Sequence, residues 1–377
     1  MSKSHLVSIF IPYYNDDKYL RGSIESALNQ TYENSEIILL NHASTDSSRE
    51  IAHSYQDNRI KHIDMEKNAG AGGGLLFLKL LETAKGKYIK PFCADDIMLP
   101  DAVENLVTYM EANPEKDFVF GNMRYVDKNR KDLKTTWFRY RSCFNLNNDE
   151  NKTLLLHFNG TGHLPYPGSI IKLDALKNIK IDKISILFFD MTLWPQLLIN
   201  GSKIGFLDKE VAMYRVHEGQ ASSSSEHQET ISMNIASFES IKYCDFFYNI
   251  TNVETVKYLC SGERFTNLLT EADQEFIPFV IAYHYINSDK IPYILSGRLK
   301  IFDMLSDDIT REKIEKKFGY GIKDFREHYK NMPLIQISKK NVFIDPKKIS
   351  IPKLAHLLSR KIFYLLTFKR KKRKLSL

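Results

Sequence analysis

Apolar runs and helical periodicities take turns along the first two hundred residues. Val7-Ser-Ile-Phe-Ile11 reads as a buried strand, with Pro12-Tyr13-Tyr14-Asn15-Asp16-Asp17 as the loop after it. From Tyr19 to Gln30, residues Leu20, Ile24, Ala27 and Leu28 fall at helical spacing. Glu36–Leu40 is a second strand, and the polar loop Asn41–Ser48 leads to a helix through Glu50, Ile51 and Tyr55 that Ser47 or Ser48 can cap. Ile60–Ile63 predicts a third strand, Leu75–Ala84 a helix and Lys87–Phe92 the next strand. Such alternation predicts an α/β fold with a mostly parallel central sheet and helices on both faces. Ligands of such sheets bind outside the carboxyl ends of the strands. The loops Tyr13–Asn15, Asn41–Asp46 and Cys93–Asp96 all leave from that edge.

The pattern then loosens. Phe118–Tyr125 and Ser169–Leu173 predict strands, Asn151–Phe158 a short helix, and Lys128–Asp149 is charged and irregular. Asp190 precedes a helix around Trp194–Ile199 that Asn200-Gly201 stops, and strands follow at Lys203–Leu207 and Val211–Arg215. After the serine run Ser222–Ser225 the signals turn helical: Thr230–Tyr248, Val253–Leu259, Glu275–Asn287, Arg298–Leu305 and Thr310–Phe318. The expected organisation is an α/β domain over 1–225, a helical domain over 226–350 and a tail over 351–377.

Composition narrows the class. Of the 377 residues, 43% are hydrophobic, which is globular, and the length suits two domains. The four cysteines have neither metal-ligand nor disulfide-framework spacing, and no N-terminal run reads as a signal peptide, so a reducing cytoplasm is expected. Net charge is +7, but Lys369–Lys374 contributes six, leaving +1 for the rest. A nearly neutral body argues against nucleic acid as a partner. Asn68-Ala-Gly-Ala-Gly-Gly-Gly74 lacks the Gly-Lys-Ser/Thr ending of a phosphate-cradling loop and reads as a hinge.

The candidate chemistry sits at Asp95-Asp96, delivered to a strand end by Lys87–Phe92. Neighbouring side chains on an extended segment point to opposite faces, so one carboxylate can hold a divalent cation and the other a substrate hydroxyl. Magnesium is commonly bound by one or two carboxylates together with phosphate oxygens and water.

These residues together resemble the family-2 glycosyltransferases, which have the GT-A nucleotide-sugar fold. The matching pieces are Val7–Asn15, Ala27-Leu-Asn-Gln-Thr-Tyr32, Glu36–Asp46, Asn68-Ala-Gly70, Ala84–Ile89 running into Ala94-Asp-Asp96, Phe189-Asp190 and Tyr214-Arg-Val-His217. They cover about the first 220 residues in order. The resemblance implies an inverting enzyme that moves sugar from a nucleotide-diphospho-sugar to a glycan hydroxyl. Pro12, Tyr14 and Asn15 would line the nucleotide, and Asp95 would contact sugar or ribose. Asp96 would hold Mg²⁺ or Mn²⁺ with His217 nearby, Arg215 would support the phosphates, and Asp190 would be the general base.

Three departures matter, one being that the glycine-rich loop lacks the Arg-Asn that the family often has after the Asn-x-Gly turn. Asn41 and His42 stand where the family has two acids; a neutral imidazole at His42 can still accept a bond from a uracil N–H, so a UDP-sugar is the favoured donor. Cys93 replaces a frequent first aspartate and leaves the Asp95-Asp96 pair intact.

Leu354, Leu358, Ile362 and Leu365 share a helical face ahead of the basic cluster, so residues 352–374 are expected to dock on an anionic membrane surface. That suits a lipid-linked glycan acceptor at the inner face of the cell membrane. Transfer to protein or wall polymer, or a non-catalytic nucleotide-sugar or glycan-binding role, are the rival readings.

Overall fold

The computed structural model describes residues 4–330, apart from 71, 141–145, 147, 186–188, 219 and 221–237. The chain divides into two compact units, Met1–Glu229 and Thr230–Leu377. The expected boundary near Ser225 and the expected tail over 351–377 lie outside the described residues.

In the first unit β1 (Val7–Tyr13), α1 (Leu20–Leu28), β2 (Ser35–Asn41), α2 (Ser48–His53), β3 (Ile60–Asp64), α3 (Gly73–Thr83) and β4 (Tyr88–Pro91) follow the predicted alternation. β1 lies between β2 and β4, with β3 beyond β2, and all these pairings are parallel. Both central strands are buried along their length, which is why they read as continuous apolar runs. Val7, Ile9 and Ile11 face α1 and α4 with Ile37 and Leu39, while Phe10, Ile38 and Leu40 fill the other side.

Beyond β4 come β5 (Ile97–Met98), α4 (Ala102–Ala112), β6 (Phe118–Asp127), β7 (Asp132–Thr136), α5 (Trp137–Tyr140), α6 (Glu150–Phe158), β8 (Ser169–Lys172), α7 (Phe189–Ile199) and β9 (Ile204–Val216). The nine-stranded sheet runs β3-β2-β1-β4-β8-β6-β9-β5, with β7 on β6. It is parallel up to β4 and mixed after it, because β8 is antiparallel to both β4 and β6.

The two strands expected at Lys203–Leu207 and Val211–Arg215 are one. β9 runs beside β6 through a bulge in which Gly121 pairs Leu207, Asn122 pairs Glu210 and Met123 pairs Ala212. A Cβ on Gly121 would lie 2.4 Å from Val211 Cγ1, so glycine lets the strands close over the bulge. The polar run Asp208-Lys-Glu210, which reads as a turn, occupies it.

The second unit holds α8 (238–247), α9 (Val253–Leu259), α10 (Ile277–Ile286), α11 (Ile291–Ser306), α12 (Asp308–Phe318) and α13 (Ile322–Lys330). Phe265, Phe279, Phe318 and Tyr320 form an aromatic centre, with ring centroids 5.1–5.8 Å apart. Among the described residues no helix is long and apolar enough to cross a membrane.

Within the first unit a buried carboxylate ties three segments together. Glu36 on β2 accepts bonds from Ser8 Oγ (2.6 Å) on β1, the Lys85 N–H (2.7 Å) ahead of β4, and Lys61 Nζ on β3. Burial alone would raise its pKa, but the bonds from Lys61, Ser8 and Lys85 outweigh burial and hold it below the ordinary value. A folded pKa below the unfolded one gives stability that is present above the unfolded value and lost as pH falls through the folded one. Glu36→Gln is therefore expected to cost about 1–3 kcal/mol at neutral pH. Urea midpoints should show that loss shrinking as pH falls through the lowered native pKa of this carboxyl, where it loses its charge.

Candidate active site

The loops at the ends of β1 and β2 are laced together. The Asn15 N–H donates to Ser44 Oγ (3.1 Å), and Asn15 Oδ1 accepts the Thr45 N–H (2.8 Å). Asn15 sits at φ 56°, a left-handed conformation that asparagine tolerates better than most residues. The Asp16 N–H donates to Ser48 Oγ (2.8 Å), the Asp17 N–H to Asp46 Oδ2 (3.1 Å), and the Ser48 N–H to Asp46 Oδ1 (3.0 Å). Asp46, rather than either expected serine, thus serves the start of α2, while Ser47 Oγ donates to Asp17 Oδ2 (3.2 Å). The lacing leaves Tyr14 at the surface, 45% exposed, with its ring centroid 6.1 Å from that of His42. Pro12 stays in β1, paired with Leu40.

His42 is buried at the end of β2, and burial lowers its pKa, so the ring is neutral near pH 7. Its Nε2 accepts the backbone N–H of Ala69 at 3.1 Å. The ring hydrogen of this tautomer is therefore on Nδ1, which makes His42 a donor toward a ligand. Sequence reasoning expects the reverse, an acceptor for a base N–H. The Ala69 contact that inverts it comes from the loop before α3, which no local pattern links to β2.

Cys93–Asp96 follows β4 as a tight turn, with the Asp96 N–H donating to Cys93 O (3.4 Å) and Ser23 Oγ donating to the same carbonyl (2.9 Å). β5 then pairs antiparallel with β9, Ile97 opposite Met213, which brings Arg215 alongside Asp96. The Arg215 N–H donates to Asp96 Oδ1 (2.9 Å), its Nε to Asp95 O (2.7 Å) and its Nη1 to Lys128 O (3.0 Å). Its guanidinium carbon lies 4.7 Å from the Tyr19 ring centroid, and that ring is 4.5 Å from the His217 ring. His217 Nε2 donates to Asp95 Oδ2 (3.0 Å). The structure therefore places His217 on Asp95, and the ligand atoms that converge within 4.8 Å of one another belong to Cys93, Asp95 and Asp96.

Asp96 is 1% exposed, and its Oδ2 has no partner among the described residues. Burial, then the adjacent Asp95 charge, pushes its carboxyl well above the ordinary range. Burial and the charges of Asp96, Asp95 and Asp190 likewise push the Cys93 thiol up. The adjacent pair Asp95-Asp96 and the sequence-distant Asp190 thus all act on the Cys93 thiol. An orphaned buried carboxylate oxygen beside a second carboxylate fits a divalent cation.

Asp190 lies in the first turn of α7, where Oδ1 accepts the Met191 N–H (2.9 Å), and burial raises its pKa to about 6. Phe189 anchors that turn against Phe77 of α3 (4.7 Å between ring centroids) and Tyr166 (6.2 Å).

Three groups here escape sequence reasoning. Lys90, inside the buried strand β4, donates from Nζ to Pro91 O (3.0 Å) and to Pro167 O. Burial lowers its pKa to about 7, against the pull of Cys93 and Asp96. Asp16 is raised to about 6 by burial, with Asp95 and Asp46 adding to it. Tyr166 stands where burial, Cys93 and Asp190 all push its phenol upward. A lysine within an apolar strand was the one signal the sequence offered; the other two act through distant contacts.

The chain matches the model of glycosyl transferase family 2 over residues 8–178. It is 32% identical over 218 residues to an uncharacterized glycosyltransferase of Methanocaldococcus jannaschii, covering 56% of this chain and 71% of that protein. It is 29% identical over 260 residues to WfaP of Escherichia coli, a UDP-Glc:alpha-D-GlcNAc-diphosphoundecaprenol beta-1,3-glucosyltransferase, covering 66% and 94%. Among solved structures, S. aureus TarS 1-349 in complex with UDP superposes with a TM-score of 0.50 at 17% identity, covering 83% of this chain and 92% of that one. The last likeness carries the fold, GT-A with a helical region after it. The chain belongs to glycosyltransferase family 2 and is a glycosyltransferase that draws on a nucleotide sugar.

Gly73 connects the glycine-rich loop to α7. A Cβ there would lie 2.7 Å from Phe189 Cβ, one residue from Asp190. Gly73→Ala is expected to displace Asp190 and slow donor turnover by about 10²-fold, as an ångström-scale misplacement does. Steady-state release of nucleoside diphosphate checks this; an unchanged rate would mean that the Gly73–Phe189 contact does not control turnover.

Proposed function

We propose that the chain transfers a sugar with inversion from a nucleotide-diphospho-sugar, a UDP-sugar being favoured, to a hydroxyl of a lipid-linked glycan. The observation that carries this is the convergence of ligand atoms of Cys93, Asp95 and Asp96 within 4.8 Å of one another, with the charge of Asp190 also acting on the Cys93 thiol. Asp190, half-buried with a pKa of about 6, accepts the proton of the acceptor hydroxyl. The acceptor oxygen bonds to the anomeric carbon from the face opposite the diphosphate. The bond from that carbon to the phosphate oxygen breaks, and the nucleoside diphosphate leaves. A single displacement of this kind inverts the centre.

Asp95, held by His217, contacts the sugar or ribose. Pro12, Tyr14 and Asn15 line the nucleotide, with His42 donating from Nδ1 to a carbonyl oxygen of the base. Arg215 contributes positive charge toward the phosphates, although its Nε and Nη1 are committed to backbone carbonyls. Asp96, with Asp95 and His217 beside it, would hold Mg²⁺ or Mn²⁺, which supplies Lewis-acid stabilisation of the charge gathering on a leaving diphosphate.

The name of the E. coli relative, with a UDP-sugar donor and a diphosphoundecaprenol-linked acceptor, supports the choice of donor and acceptor class. The basic segment 352–374 would then hold the enzyme at the inner membrane face, each Lys or Arg adding on the order of 1 kcal/mol at an anionic surface. Flotation with anionic liposomes is expected to recover the full chain and not one ending at Ser350. Equal recovery of the two would remove the tail from that role.

Asp190→Asn is expected to lower donor turnover by about 10²–10⁴-fold while leaving donor-induced thermal stabilisation intact. A general base must be ionised, so turnover is lost as pH falls through about 6. Because Asp16 has a similar pKa, Asp16→Asn serves as the control. Asp190 is the base if the acid limb survives Asp16→Asn and is absent from the residual rate of Asp190→Asn. Near-normal turnover by Asp190→Asn would end that assignment.

A further inference from the structure

We infer that Cys93 is a sulfur ligand of the cation site, and that it tilts the site away from magnesium toward thiophilic divalent ions such as Co²⁺, Zn²⁺ and Cd²⁺. The inference rests on the reading of Asp96 as a cation ligand. Its geometric basis is the four-residue turn Cys93–Asp96, closed by the Asp96 N–H on Cys93 O, which brings residues three apart onto one side. Sγ of Cys93, a carboxylate oxygen of Asp95 and one of Asp96 lie within 4.8 Å of one another, a spacing one ion can span.

An acidic pair with a cysteine is not by itself a site. The independent observation is Asp96, 1% exposed, whose Oδ2 is buried at this cluster with no partner among the described residues. Leaving such a group unpaired is costly, and a cation satisfies it where a water-excluded pocket has no donor to offer. Cys93 forms no disulfide, and no described group hydrogen-bonds its sulfur. Its sulfur is therefore available, and on binding the thiol proton passes to solvent while sulfur bonds as thiolate.

Ligand softness sets the consequence. Carboxylate and water suit magnesium and manganese, whereas a thiolate in the set favours ions further along the first transition row and cadmium. A site of two carboxylates alone would lack that bias.

The test is Co²⁺ titration of the full chain, read by near-ultraviolet absorption, alongside calorimetric titration with Cd²⁺ and Mg²⁺. Wild type is expected to bind one Co²⁺ with a thiolate-to-cobalt charge-transfer band, although three other cysteines are present. Cys93→Ser is expected to lose the band, to bind Cd²⁺ about tenfold or more weakly, and to bind Mg²⁺ within about twofold of wild type. Cys93→Asp, which keeps a ligand and restores an all-oxygen set, is expected to lose the band yet retain Co²⁺, and it decides the matter if the serine variant does not fold. Co²⁺ binding to wild type without the band, or a band that survives both substitutions, overturns the role of Cys93 and leaves the carboxylate site standing. Binding of none of the three ions overturns that site and this inference together.

Discussion

Everything at the strand ends depends on how the Asp96 carboxylate is held. One oxygen takes the Arg215 N–H at 2.9 Å, while the other is buried without a partner among the described residues. The Arg215 N–H comes from β9, the same strand that pairs with Ile97 and so closes the sheet beyond Asp96. The residue is consequently placed by its own turn, and one carboxylate oxygen is held by a backbone N–H from a strand more than a hundred residues away. Fixing a charged group before substrate arrives lowers the reorganisation needed during reaction. The cost is electrostatic: two adjacent carboxyls in a dry place favour protonation of one of them.

The surroundings offset that cost. His217 pairs with Asp95, the Arg215 guanidinium holds the Asp95 carbonyl, and Lys90 lies buried in the strand that delivers the pair. Lys90 also reaches Pro167 O, so the ammonium joins β4 to the turn that carries Tyr166. Tyr166 packs on Phe189 beside Asp190. Contacts therefore run from Lys90, on the strand that delivers the acid pair, through Pro167 and its neighbour Tyr166 to Phe189, next to the proposed base. Such a chain gives a physical reason why α7 and the Cys93–Asp96 turn stay in register.

The first half of the α/β unit is legible in the sequence because its strands are buried on both faces. Val7–Ile11 and Glu36–Leu40 announce themselves as apolar runs, and β1 and β2 exceed them by only a residue or two. β5 has two residues and exists only because β9 pairs with it, so no local pattern could reveal it. α13 begins just after Gly319-Tyr-Gly321, which reads as the end of a helix and hides the start of another. The Asp95-Asp96 pair after β4 is legible as a strand-end turn, while Asp190 is singled out only through the family resemblance. The shifted ionisation of Lys90, Asp16 and Tyr166 comes from burial and from neighbours far along the chain, and the donor character of His42 comes from one N–H on a distant loop.

Calorimetric titration of UDP, with GDP in parallel, into the full chain with and without Mn²⁺ tests the central claim most directly. If the Asp96 carboxylate is the anchor of an ion that carries the diphosphate, nucleotide binds only when the ion is present, and Asp96→Ala shows no ion-dependent heat. Equal affinity with and without the ion, or an alanine variant that still binds in an ion-dependent way, would contradict the account.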